Sequence, residues 1–188
     1  VVLLTVGLTD AYESEGFDRE SMQMPQGHLQ LVDAITKVNP HVVVILCCGS
    51  AVETPWADTV QGIVYAGLSG QAGGEALANI LTGEVNPSGR LAETWPLRYT
   101  DCPSHAYYGC SFKDGQYREG IYIGYRYYDK ADVPVRFSFG CGLSYTQFAY
   151  KDLQVHGRKV SVTVTNTGSR AGKESVLCYV CPPQDGIH

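Results

Sequence analysis

The chain has 188 residues, 44% hydrophobic and 18% charged, with a formal net charge of -5, the balance of a globular protein of one domain or one and a fraction. The acidic balance and the lack of a Lys/Arg cluster exclude a nucleic-acid or anionic-membrane surface, and no apolar run reaches the ~20 residues of a membrane span. Small neutral ligands are the expected partners.

Val1-Val2-Leu3-Leu4-Thr5-Val6 is short, β-branched and uncharged, which predicts a strand buried on both faces. The loop after it is crowded with acid: Asp10, Glu13, Glu15 and Asp18, with Arg19 beside them. Ligands of open α/β sheets bind at the carboxyl ends of the strands. A carboxyl held among like charges there is harder to ionise, which suits a proton donor. The same acids also fit a solvated loop.

Residues 27–37 place Leu31, Ala34, Ile35 and Val38 at helical spacing, with Pro25 suited to a first turn and Asn39-Pro40 as a stop. His41 to Cys48 is a continuous apolar run, a second buried strand that Gly49-Ser50 turns at its end. A short turn or helix follows over Trp56–Thr59, a third strand over Gln61–Gly67 and a helix from about Gly74 to Leu81. This alternation predicts a three-layer α/β/α sandwich with a mostly parallel sheet. The linking Gly67-Leu-Ser-Gly-Gln-Ala-Gly-Gly74 has neither dinucleotide nor P-loop spacing, so close packing or hydrogen bonds to an uncharged ligand are expected, and no cofactor.

Beyond the expected turn at Asn86-Pro-Ser-Gly89 the chain becomes aromatic and irregular, with Tyr107, Tyr108, Tyr117, Tyr122, Tyr125, Tyr127 and Tyr128 close together. Such rings beside Arg118, Glu119 and Arg126 suit a sugar platform, or simply pack over the sheet. From Phe148 the pattern alternates through Leu153, Val155, Val160, Val162 and Val164, and Ser175–Val180 begins a further strand. A whole β-sandwich needs about 100 residues, so this all-β segment is truncated. The seven cysteines are odd in number and scattered, favouring free thiols in a reducing, cytoplasmic compartment; secretion stays open because the chain opens in mid-strand. Cys178 and Cys181 have metal spacing but fall on opposite faces of the expected strand, with no second pair to complete a site, so no metal is expected.

Several stretches in order resemble the glycoside hydrolase family 3 β-glucosidases: residues 12–19 with Met22-Gln-Met-Pro25, residues 67–74, Asn86-Pro-Ser-Gly-Arg-Leu91 with Thr94-Trp95-Pro96, residues 119–128, and residues 137–146. The resemblance implies that 1–147 is that family's carboxyl-terminal α/β sandwich without its first part, and that 148–188 begins a fibronectin type III-like domain. It further implies a retaining glycosidase acting on a β-glucoside or other small carbohydrate, completed by a (β/α)8 barrel domain of the same parent that carries the nucleophile. On that alignment Glu15 is the catalytic acid/base, with Glu13 the runner-up, while Asp18 and Arg19 support the loop through ion pairing. The chain alone is then an inactive fragment. The competing expectation is a non-catalytic carbohydrate-binding or structural module.

Overall fold

The computed structural model describes residues 1–111 and 113–181. Its contacts group into two units, one of Val1–Ala78 with Ala92–Phe139, the other of Asn79–Leu91 with the described residues from Gly140 onward.

The first unit is built on a parallel sheet in the order β1-β2-β3, with β1 at Val2–Gly7, β2 at Val42–Cys47 and β3 at Gly62–Tyr65. Val2 pairs with Val42 through to Gly7 with Cys47, and Val43 with Gly62 through to Leu46 with Tyr65. The central strand carries the core. Val42, Val44, Ile45 and Leu46 are all buried, so both of its faces are covered. On β1 the expectation of burial on both faces fails: Leu4 and Val6 are buried, whereas Leu3 is 53% exposed and Thr5 is exposed, because among the described residues only one face of this edge strand is covered.

Between β1 and β2 runs α1, Gln26–Val38, which Pro25 caps with its carbonyl accepting from His28 and Leu29. Its buried face differs from the one the spacing predicts. Val32 is fully buried with His28, Leu29, Ile35 and Thr36 around it, while Leu31 and Val38 face water. Both sets are helical stripes, and contact with the sheet selects between them. After β3 comes α2, Gly73–Thr82.

An α-helix and a strand pair were hidden in the stretch expected to be irregular. One is α3, Tyr125–Ala131, which starts after Gly124 (φ 54°) and stops at Asp132 in the left-handed region (φ 52°). The other is the antiparallel pair of β4, Trp95–Pro96, with β5, Val135–Phe137. Trp95 is 2% exposed and meets Tyr65 and Phe137 edge-on at 5.3 and 5.9 Å.

In the second unit, β6 (Phe148–His156) and β7 (Lys159–Asn166) form a hairpin turned by Gly157 at φ 58°. A bulge between Lys151 and Gln154 places Asp152 at φ 56°. Asn86, expected in a turn, lies in an irregular segment and acts as a junction: its Oδ1 accepts from Ser144 and the Tyr145 amide, and its Nδ2 donates to the Ala171 carbonyl. Arg90 pairs with Glu174 at 2.8 Å, and Tyr150 donates to the other oxygen of the same carboxylate. The strand expected over Ser175–Val180 is not formed, since among the described residues it has no ladder partner. Residues 182–188 of the expected second domain lie outside the described residues.

Candidate active site

The carboxyl ends of β1, β2 and β3 fall on one edge of the parallel sheet, and the acidic loop leaves β1 there. Gly7 closes the strand so tightly that a Cβ on it would stand 2.5 Å from the Cys47 carbonyl carbon. His28 Nδ1 sits 2.9 Å from the Gly7 carbonyl oxygen, and the Leu8 amide donates to the Cys47 carbonyl at 3.0 Å. The chain then folds back, with the Tyr12 and Glu13 amides both donating to the Thr9 carbonyl.

The two acids that the sequence leaves as rivals have different surroundings. Glu13 is anchored: its Oε2 accepts from the Gly49 amide at 2.9 Å and its Oε1 from the Ser50 hydroxyl at 3.0 Å. Gly49 makes room for that carboxylate, since a Cβ there would lie 3.0 Å from Glu13 Oε1 and from Leu68 Cδ1 of the glycine loop. Glu15 sits at the tip of a tight turn, between Ser14 and Phe17, which form an antiparallel bridge. Its side chain is exposed and makes no hydrogen bond or ion pair among the described residues. One acid is structural furniture for the loop; the other is presented to whatever faces it.

Arg19 closes the far side. Its Nη1 donates to the Ser50 hydroxyl at 2.7 Å and to the Ala51 carbonyl at 3.2 Å. Among the described residues Asp18 and Arg19 make no ion pair; Asp18 instead lies beside the Tyr108 hydroxyl, whose hydrogen bond to that carboxylate pushes the phenol above its ordinary range. Beneath the site Cys48 is fully buried, and desolvation, then the nearby Glu13 carboxylate, push its thiol up to about 12, which leaves it inert.

Beside Arg19 opens a hollow of about 540 Å³ bordered by Ser50, Thr94, Ser104, Tyr125 and Tyr128. Tyr125 stacks on Phe139 at 5.4 Å and Tyr128 is buried, so part of the tyrosine-rich stretch packs, while Tyr117 is 94% exposed. Arg19 Nη2 is buried and finds no partner among the described residues. Ser50 and Gly49 are the site residues that sequence reasoning passed over as a mere turn. Their place at the carboxyl end of the second strand was the signal that could have found them.

Residues 1–145 match the family described as the glycosyl hydrolase family 3 C-terminal domain. The thermostable beta-glucosidase B of Acetivibrio thermocellus is 46% identical over 96% of the chain and 25% of its own length. Among solved structures, the beta-glucosidase of Kluyveromyces marxianus superposes with a TM-score of 0.84 at 40% identity, over 89% of this chain and 21% of that one, and it has also been solved in complex with glucose. Beta-glucosidase 3B of Thermotoga neapolitana superposes with a TM-score of 0.80 at 36% identity over 90% of this chain and 26% of that one. The chain thus spans about a quarter of the length of the relatives it matches.

Proposed function

The chain belongs to glycosyl hydrolase family 3, as that family's carboxyl-terminal domain, and from this premise we propose that it supplies the acid/base, Glu15, of a retaining β-glycosidase acting on β-glucosides. The relatives matched are β-glucosidases, and the three-quarters of their length outside the match leaves room for a (β/α)8 barrel domain of the parent protein to supply the nucleophile. Residues 1–147 form the α/β domain in this reading, supported by a family match that ends at 145, and 148–188 begin a fibronectin type III-like domain, supported by the β6–β7 hairpin.

The observation that carries the assignment is the contrast between the two glutamates. A retaining mechanism asks one carboxyl to protonate the departing glycosidic oxygen and then, ionised, to activate water, with about 5 Å between it and the nucleophile. Such a group must face its partner with its oxygens unengaged. Glu15 is presented in this way at the turn tip, whereas both Glu13 oxygens already accept hydrogen bonds from the end of β2. A loop that brings the acid to a second domain also excludes water as the domains close.

The test is Glu15→Gln in the full-length parent. Hydrolysis of alkyl β-glucosides, whose leaving groups need protonation, should fall by ~10²–10⁴-fold. Azide should restore turnover of activated aryl glucosides as the β-glucosyl azide. If Glu13→Gln shows that pattern and Glu15→Gln does not, the assignment is wrong.

A further inference from the structure

Resting on this acid/base reading, we infer that Ser50 is a positioning residue for Glu15, acting as the one point, among the described residues, at which both stems of the acidic loop are tied to the turn after β2. The bonds run in one direction. Arg19 Nη1 donates to the Ser50 hydroxyl at 2.7 Å, and that hydroxyl donates to Glu13 Oε1 at 3.0 Å. Glu13 stands two residues before Glu15 and Arg19 four after it, so the segment 13–19 is closed at its base by one oxygen, with the Ser14–Phe17 bridge closing it again nearer the tip.

A hydroxyl is the group this place requires, because it accepts from the guanidinium and donates to the carboxylate at once. Alanine removes both bonds and leaves the Arg19 and Glu13 side chains to meet across a gap or turn to water. The auxiliary bonds, Gly49 amide to Glu13 Oε2 and Arg19 Nη1 to the Ala51 carbonyl, hold each stem to the strand end but not to the other. The stems then move independently, and the tip with them. Displacement of a catalytic group by 1 Å can cost ~100-fold in rate. The hydroxyl is only part-buried, and the fully buried side chains of the core are others, Val44, Leu46 and Val52 among them, so the core keeps its packing without it.

The experiment is Ser50→Ala in the full-length parent, with Ser50→Thr and Glu15→Gln beside it. The readout is kcat/KM, which reports formation of the glycosyl-enzyme, on octyl β-D-glucoside and on 2,4-dinitrophenyl β-D-glucoside. Acid catalysis matters for the first and hardly for the second. The expected result for Ser50→Ala is a loss of roughly 10–100-fold on the alkyl substrate and under about 3-fold on the aryl one, with the melting temperature held within about 2 °C. Ser50→Thr, which restores the hydroxyl, should recover most of the alkyl rate. An equal loss on both substrates, or none, with Glu15→Gln selective for the alkyl substrate, overturns the positioning role and leaves the acid/base reading intact. Alkyl hydrolysis surviving Glu15→Gln overturns the acid/base reading, and the positioning role with it.

Discussion

Gly7→Ala isolates the coupling between the sheet and the acidic loop. The added Cβ meets the Cys47 backbone: it would overlap the carbonyl oxygen and stand 2.5 Å from the carbonyl carbon and 3.0 Å from Cα. Carbon atoms settle at ~3.5–4.0 Å, so β1 and β2 must separate by about 1 Å at this end, and no flexible side chain can give way instead. The Leu8 amide, 3.0 Å from the Cys47 oxygen, is then carried to about 4 Å, past hydrogen-bond range. Losing that bond costs ~1 kcal/mol and the overpacking ~1–3 kcal/mol, for a total of about 2–4 kcal/mol. At ~2–4 °C per kcal/mol for a unit of this size, the melting temperature of this domain's own transition falls by roughly 4–16 °C. Because the widened end is where the loop leaves, hydrolysis of alkyl glucosides should fall as well. The control is Gly27→Ala in the first turn of α1, where nothing lies within 4 Å of the new methyl and stability should hold or rise by ~0.5 kcal/mol. Scanning calorimetry and kcat/KM on both variants decide the matter. If Gly7→Ala melts and turns over like the parent, the reasoning from the strand contact is refuted.

Two further predictions concern groups away from the acid. Arg90→Ala strips the Glu174 carboxylate of its ion pair, leaving only the Tyr150 hydroxyl on two side chains that are 13% and 17% exposed in the native pair. Partial exposure puts the loss at about 2 kcal/mol in urea denaturation, and Glu174→Gln, which still accepts from Tyr150, should lose less. Cys48 should resist iodoacetamide at pH 9 in the folded protein while exposed Cys110 and Cys141 are alkylated, as peptide mass spectrometry would report. Its raised thiol also sets a pH window. The stabilisation is complete below the unfolded value of 9.0 and is lost as pH rises toward about 12, because the unfolded thiol ionises first. Alkylation of Cys48 at the same rate as Cys110 would contradict the burial.

The strands β1, β2 and β3 and the helices α1 and α2 were legible because each is specified within its own window. A continuous β-branched run or a 3.6-residue stripe needs no distant partner to be recognised. The motif order carried the family for the same reason. The faces and the pairings were not local. Whether Leu31 or Val32 enters the core depends on how α1 meets the sheet, and the pairing of Trp95–Pro96 with Val135–Phe137 joins segments forty residues apart. Ser175–Val180 alternates like a strand, yet a strand exists only with a neighbour to bond to.

For the candidate site the sequence by itself determined the inventory: an acidic loop after a strand, a glutamate before an Asp-Arg pair, and no basic or metal-binding pattern. The resemblance ranked Glu15 before Glu13, and the tertiary structure added the difference in their surroundings. Two identical side chains two positions apart have the same intrinsic chemistry, and what distinguishes them is that the Gly49 amide and Ser50 hydroxyl, contributed by the turn after β2, lie within reach of one and not the other. Hydrogen bonds act over about 3 Å, so that difference is set by where β2 ends beside β1. No local pattern in residues 10–19 encodes it.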